Sequence, residues 1–397
     1  MTGELRIAVR KFGPFETAIR KQFADFSATY LNDVQIEIEA LDLNPLHDAL
    51  FARNGLRDGS FDIAFLSTDW ISEAQQGNLI EDLTPYLAHT PIADFPGAWS
   101  PSLLKFQQFR GGFWGMPYHD GPECLIFRKD LLAEADLPVP ATWSEFHAAA
   151  RRLHAPDRGR YGTVLALFPD GHNTLYDFCI HVWTRGGEPF KSDAQPNLQT
   201  PQAIAALDFI RNLARDEHAI APHARDLDSV KAGLMFCEGK VALMANWFGF
   251  AALGETWTDS AVKGLVDIAP LPAGDGGTSA SLNVYWVLAI ATGSKKKDLA
   301  WSFLRHLATA PMDRLTTMEG AIGVRYSTWH DAEINRIVPY YHKLSGLHER
   351  ARELPRHPKL ADISHVIDDV LKEAVLSNVP SGALLASAQR RIEDIIA

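Results

Sequence analysis

The sequence predicts an α/β fold built on a mostly parallel sheet with helices on both faces. Three stretches carry that prediction. Leu5–Val9 is apolar and alternating, Gly13-Pro14 breaks it, and Phe15, Ile19, Phe23 and Phe26 then recur at helical spacing. Val34–Ala40 (VQIEIEA) alternates strictly, as a half-exposed strand does. Leu46–Leu56 fits a helix, and Phe61–Leu66 (FDIAFL) is a continuous apolar run of the kind buried in parallel sheets. Strand–helix–strand–helix order gives parallel strands joined by helical crossovers.

The remaining elements follow the same signals. Ser67-Thr68-Asp69-Trp70 forms a polar turn, and a helix opens at Ile71. Pro117-Tyr118-His119-Asp120-Gly121-Pro122 is a stiff bend between two strands, the second of them Cys124–Phe127. Lys129–Ala135 reads as a helix, and Thr142-Trp143-Ser144-Glu145 is a capping box opening the next one. Thr200-Pro201 starts a helix whose apolar face is Ile204, Leu207, Phe209, Ile210 and Leu213. Val230–Glu238 is a helix closed by Gly239. Lys240–Ala245 is a strand with Asn246-Trp247 just past its end. Gly264–Ala269 is a strand, Pro270–Ser281 a long loop, and Asn283–Ala291 a further strand. From Ala332 the chain reads as almost all helix.

Bulk properties narrow the function. With 397 residues the chain has room for two or three domains. Its net charge of −11 disfavours nucleic acid as a partner, because phosphate binding needs clustered positive charge. Three cysteines without a CxxC pair, Cys124, Cys179 and Cys237, read as small buried hydrophobes rather than a disulfide framework or a zinc site. No run approaches the roughly 18 apolar residues of a membrane span. No phosphate loop, dinucleotide fingerprint, HExxH or nucleophile elbow is present, so no cofactor, metal or catalytic residue is expected. Tyr340-Tyr341, beside Pro339, reads as packing.

The positive signal is aromatic. Phe15, Trp70, Tyr118, Trp247, Tyr285 and Trp286 fall at strand ends or in loops. Between them lie Ser67, Asp69, His119, Asp120, Asn246, Asn283 and Arg325. A sugar ring needs this mixture: its C–H face packs on an aromatic plane and its hydroxyls need donors and acceptors. Each buried hydroxyl left unpaired would cost about 1–3 kcal/mol, so the polar set confers specificity. In an open α/β sheet these groups would gather beyond the carboxyl ends of the strands. Arg325 either takes an anionic substituent of the sugar or pairs with a carboxylate of the protein itself.

Four blocks resemble the carbohydrate-binding proteins of ATP-driven (ABC) importers, the family of maltose-, trehalose- and glycerol-phosphate-binding proteins. They are FDIAFLSTDWISEAQQGNLIEDLTPYL (61–87), GGFWGMPYHDGPECLIFRKDLLAEADLPVPATWSEF (111–146), CEGKVALMANW (237–247), and DIAPLPAGDGG (267–277) followed by KKDLAWSFLRHLAT and GAIGVRYS. The resemblance implies a two-lobed periplasmic-binding-protein-like (type II) fold with a hinge and an interlobe ligand cleft. It implies an N-terminal lobe of residues 1–117 plus 270–324 and a C-terminal lobe of 118–269 plus 325–397. Crossings are then expected near 117–122, 267–271 and 322–326. It also implies a non-enzymatic, monomeric solute-binding component. Such a protein captures a mono- or disaccharide, polyol or glycoside by hinge closure and delivers it to the transmembrane subunits of an ABC permease. Asp69 and Trp70 would serve the first lobe, Trp247 the second, and Tyr118, His119, Asp120 and Arg325 the seam, with Trp286 near the ligand. Where many relatives have Gly-Gly before Trp286, this chain has Asn283-Val284-Tyr285, which implies a smaller or differently shaped pocket. The alternative is an intracellular sugar-acting enzyme using Asp69 and Asp120 as acid and base. The N-terminus lacks an apolar stretch long enough for a leader, so the expected place is periplasmic or extracellular after removal of a leader, or cytoplasmic if the chain is full-length.

Overall fold

Strand–helix alternation read from the first 70 residues is the order in which the chain folds. In the computed structural model, which describes residues 3–30, 34–191, 194–282 and 284–397, β1 (Gly3–Arg10), α1 (Gly13–Tyr30), β2 (Val34–Leu41), α2 (Leu43–Leu50) and β3 (Ile63–Ser67) follow in turn. β1 pairs in parallel with both β2 and β3, setting Ile7 beside Ile38 and Ile63. β3 lies inside the sheet and all five of its residues are buried, as its unbroken apolar run requires. β2 is the edge strand, and its polar residues point away from the core.

The rest of this sheet departs from the parallel expectation. Trp286–Ile290 runs antiparallel to β3 and to Met116–His119, so the five-stranded sheet is mixed. The reason lies in the path. The strand enters with Trp286 beside Ser67 at the carboxyl end of β3 and runs back to set Ile290 beside Ile63. A strand entering at that end can pair only head to tail.

The chain divides into two compact units, Met1–Gly121 with Asn283–His348, and Pro122–Leu282 with Glu349–Ala397. The sequence places the second and third passages between units earlier, near 267–271 and 322–326. Hydrogen bonds account for the difference. Pro270–Ser281 stays with the second unit: Ala273 N–H donates to the Ala141 carbonyl (2.9 Å), Gly274 N–H to that of Thr184 (2.7 Å), and Ser281-Leu282 pairs in parallel with Ala351-Arg352. Arg325–His348 stays with the first: Arg325 N–H donates to Asp313 Oδ2 (3.1 Å) and Trp329 Nε1–H to the Gly323 carbonyl (2.8 Å).

The second unit is built on Glu123–Arg128, which runs antiparallel to Leu243–Trp247 on one side and Val266–Ala269 on the other. Helices Asn173–Trp183, Pro201–Ala214, Leu360–Leu376 and Ser381–Ile396 pack together beside it. The capping box expected from sequence forms, and Thr200 also caps its helix. Thr142 and Glu145 bond reciprocally as a capping box, and Thr200 Oγ1 accepts from Ala203 N–H (3.2 Å). Gly239 closes the helix Ser229–Cys237 at φ +78°, a conformation open to glycine. The three cysteines are buried, and so are Tyr340 and Tyr341.

Candidate functional site

In the first unit the strand directions bring several of the named residues to one edge. The carboxyl ends of β3 (Ser67) and of Met116–His119 (His119) flank the start of Trp286–Ile290, where Trp286 pairs with both Ser67 and His119. The turn Thr68–Trp70 follows directly, tied to the neighbouring strand by Thr68 N–H donating to the Tyr285 carbonyl (3.0 Å). Trp70 and Trp286 meet edge to face with ring centres 5.7 Å apart, and Trp286 is part-exposed. Asp69 lies beside them at 9% exposure. Phe15, at the start of α1, packs on the His119 ring at 4.8 Å and on Phe65 at 5.1 Å. Phe12, part-exposed and 5.1 Å from Phe15, is a rim aromatic that the sequence reading passes over; its position beside the Gly13-Pro14 break is the signal. Asn283 lies outside the described residues.

His119 has a defined tautomer. Its Nδ1 accepts from Ile322 N–H (2.9 Å), so the neutral ring carries its proton on Nε2. Burial holds its pKa down at about 4, against the pull of the Asp120 charge.

Four of the named residues are engaged inside the unit. Tyr118 donates its hydroxyl to Gln22 Oε1 (2.8 Å), and burial pushes its phenol pKa upward. The Tyr285 hydroxyl bonds Gln107 Oε1 (2.6 Å) and the Leu103 carbonyl. The Arg325 guanidinium is 2% exposed as a residue, ion-pairs with Asp94, donates to the Ala308 carbonyl (2.6 Å) and lies 4.4 Å over the Trp99 ring. It pairs with a carboxylate of the protein, the second of the two roles its position left open. Asp120 Oδ2 sits 2.7 Å from His348 Nε2, with both residues buried. Ser102 Oγ is 2.7 Å from His348 Nδ1 and Trp329 stacks on the imidazole at 4.8 Å. The Ser102–His348–Asp120 string has the residue types of a hydrolytic triad. With its imidazole buried under an indole it is a brace, and Asp120 is not available as a partner for Asp69 in acid–base chemistry.

In the second unit Trp247 ends its strand part-exposed, and Nε1–H donates to Asn173 Oδ1 (3.2 Å). Its ring meets Tyr176 edge to face at 5.9 Å. Asn246 is buried and points inward: Nδ2 donates to the Ser229 carbonyl (3.0 Å), while Oδ1 accepts the Trp247 backbone N–H (2.8 Å). It shapes the turn that carries Trp247. Directly opposite Trp247 on the next strand is Glu123. Cross-strand partners share a face, so Glu123 and Trp247 project the same way. Glu123 hydrogen-bonds Asp177, and burial raises the pKa of both; the Asp177 charge raises Glu123 further, whereas the bond from Glu123 pulls Asp177 back down. Asp170 adds its charge to Asp177 and caps the helix start, accepting from the backbone N–H of His172 (2.9 Å) and Asn173 (3.0 Å). Sequence reading missed Glu123, Asn173 and Asp177. The four-residue spacing of Asn173 and Asp177, which puts them on one helix face, was the available signal.

The family model described as bacterial extracellular solute-binding protein matches residues 13–313. The chain belongs to the bacterial extracellular solute-binding protein family. As a family member it is a solute-binding protein of ABC transport rather than an enzyme. It is 23% identical over 401 residues to the maltotriose-binding protein of Pyrococcus abyssi, covering 96% of this chain and 80% of that one. It is 23% identical to the mannitol-binding protein of Pseudomonas aeruginosa, over 90% and 85% of the two chains. Among solved structures, maltose-bound MalE3 of T. maritima superposes with a TM-score of 0.90 at 22% identity, covering 99% and 100%. A solute-binding protein of Agrobacterium radiobacter in complex with ribitol does so with 0.89 at 23%, covering 99% and 98%. The solute-binding protein thus has the fold of these periplasmic-type binding proteins. Among the described residues no helix is long and apolar enough to cross a membrane.

Proposed function

We propose that this solute-binding protein captures a neutral carbohydrate or polyol, outside the cytoplasmic membrane, and delivers it unaltered to the transmembrane subunits of an ABC permease. Capture works by hinge closure: the ligand stabilises the closed form through contacts made better there. The protein acts as a monomer.

The observation that carries the reading is Trp247, a part-exposed indole fixed by Asn173 and flanked by the Glu123–Asp177 carboxyl pair. The ring offers a face to sugar C–H groups, and the carboxyls offer both donors and acceptors to hydroxyls. Trp286, Asp69 and the Nε2–H of His119 supply the same mixture in the first unit, with buried Trp70 packed edge to face on Trp286. Relatives named for maltotriose and mannitol, and solved complexes with maltose and ribitol, point to the same chemical class. A neutral ligand is favoured because Arg325 is engaged with Asp94 and Trp99.

A thermal-shift panel of D-mannitol, ribitol, maltose, maltotriose and sugar acids tests this. A true ligand at 100 times its Kd adds about 2.7 kcal/mol of stability. Trp247→Ala should abolish most of that gain. Recovery of a chemically altered sugar after incubation, or a best hit indifferent to Trp247→Ala, would defeat the proposal.

A further inference from the structure

The passages between units are flanked by short hydrogen bonds within each unit. On the second-unit side, Ser281 Oγ donates to the Glu123 carbonyl (2.6 Å) and Ser281 N–H to the Arg350 carbonyl (3.0 Å). These bonds join the residues just past the first passage, just before the second and just past the third. On the first-unit side, the last residue of the third segment, His348, meets Asp120, one residue ahead of the first passage, at 2.7 Å across 228 positions of sequence. Asp120 N–H donates to the Ile322 carbonyl (3.1 Å), and Trp329 and Ser102 fix the His348 ring. At the first and third passages, Gly121-Pro122 and Glu349 lie between these contacts. Gly121 sits at φ +148°, which favours glycine, and Pro122 locks its own φ.

We propose that Asp120 and His348 are positioning residues for ligand capture: their buried pair straps the first and third passages together and confines hinge motion to the one or two residues beyond it. The pair touches no ligand. It acts by keeping the passages short, so that closing the protein on a ligand orders few extra residues. Without the strap, the chain on both sides of Glu349 and Gly121 gains freedom, and the closed complex is shorter-lived. The capture step rests on the function proposed above; the strap itself does not.

The test has two arms on the full chain. Hydrogen exchange is followed at the backbone amides of 346–350 in wild type, Asp120→Asn, His348→Ala and the double variant. The expected result is exchange at 346–350 faster by about tenfold in each variant, with protection of the β1–β3 core retained. The double variant should be no faster than His348→Ala, because both changes cut one connection. His348→Gln, which keeps a donor toward Asp120, should fall between. Unchanged exchange at 346–350 in Asp120→Asn and His348→Ala, or strictly additive effects, would overturn the strap. In the second arm, binding of D-mannitol is resolved into rates. Dissociation should quicken by about fivefold or more while association stays within about twofold. Equal loss in both rates would overturn the positioning role. If D-mannitol fails to bind wild type, the ligand reading is at fault for that probe, and the exchange arm still decides the strap.

Discussion

Glu123 and Trp247 stand opposite each other on neighbouring antiparallel strands, and each is held by the same face of one helix, Glu123 by Asp177 and Trp247 by Asn173. The spacing of four residues between Asn173 and Asp177 makes the two contacts one unit. Asn173→Ala should therefore free the indole without removing it. We expect ligand affinity to fall by about fivefold to tenfold, the worth of one hydrogen bond, with less loss than Trp247→Ala. Titration calorimetry on both variants checks the order.

The carboxyl pair gives a pH dependence of unusual sign. Both pKa values are raised in the folded protein, by burial first. Below about pH 4 both groups are protonated folded and unfolded, and stability is unaffected. As pH rises through the ordinary carboxylate range, the unfolded chain releases protons that the folded chain keeps, so stability falls. Glu123→Gln removes that conflict. Its melting temperature relative to wild type should climb steadily from pH 4 to pH 8, and a flat difference would refute the pairing.

His119 works in the other direction. Its folded pKa of about 4 lies below the ordinary histidine value, so the neutral ring contributes stability fully above about pH 6.5. That contribution drains as pH falls toward 4. His119→Asn keeps an acceptor for Ile322 N–H and cannot be protonated. The variant should lose less stability than wild type between pH 6.5 and pH 4.5, read by urea unfolding at each pH.

Arg325 is expected to matter for folding and not for ligand. Asp94→Ala removes the carboxylate paired with its guanidinium, which stays buried beside Trp99. Breaking one side of a buried pair costs about 3 kcal/mol, less where the partner is exposed, as Asp94 is. The urea midpoint should drop, while the thermal shift on adding ligand is preserved.

Tyr118→Phe and Tyr285→Phe separate core from rim. Each removes a buried hydroxyl bonded to Gln22 or Gln107 and should cost about 1 kcal/mol. Neither should change the ligand-induced shift, whereas Trp286→Ala should reduce it.

Much of the fold was legible because its signals are local. FDIAFL reads as a buried strand, VQIEIEA as a half-exposed one, and Thr142 with Glu145 announced a helix start. The site was legible in part. Trp286 and Trp247 stand part-exposed at strand ends, while Trp70 is buried against Trp286 and His47. Tyr118, Tyr285 and Arg325 look the same in sequence and turn inward, because Gln22, Gln107 and Asp94 come from distant positions to meet them.

The sequence by itself determined the alternating elements, their caps and the family resemblance, since each depends on residues a few positions apart. Tertiary structure alone decided that the sheet is mixed, where the chain passes between units, and which polar groups are occupied within the protein. Those outcomes depend on pairs such as Asp120 with His348 or Trp247 with Asn173, which only the folded chain brings within hydrogen-bonding distance.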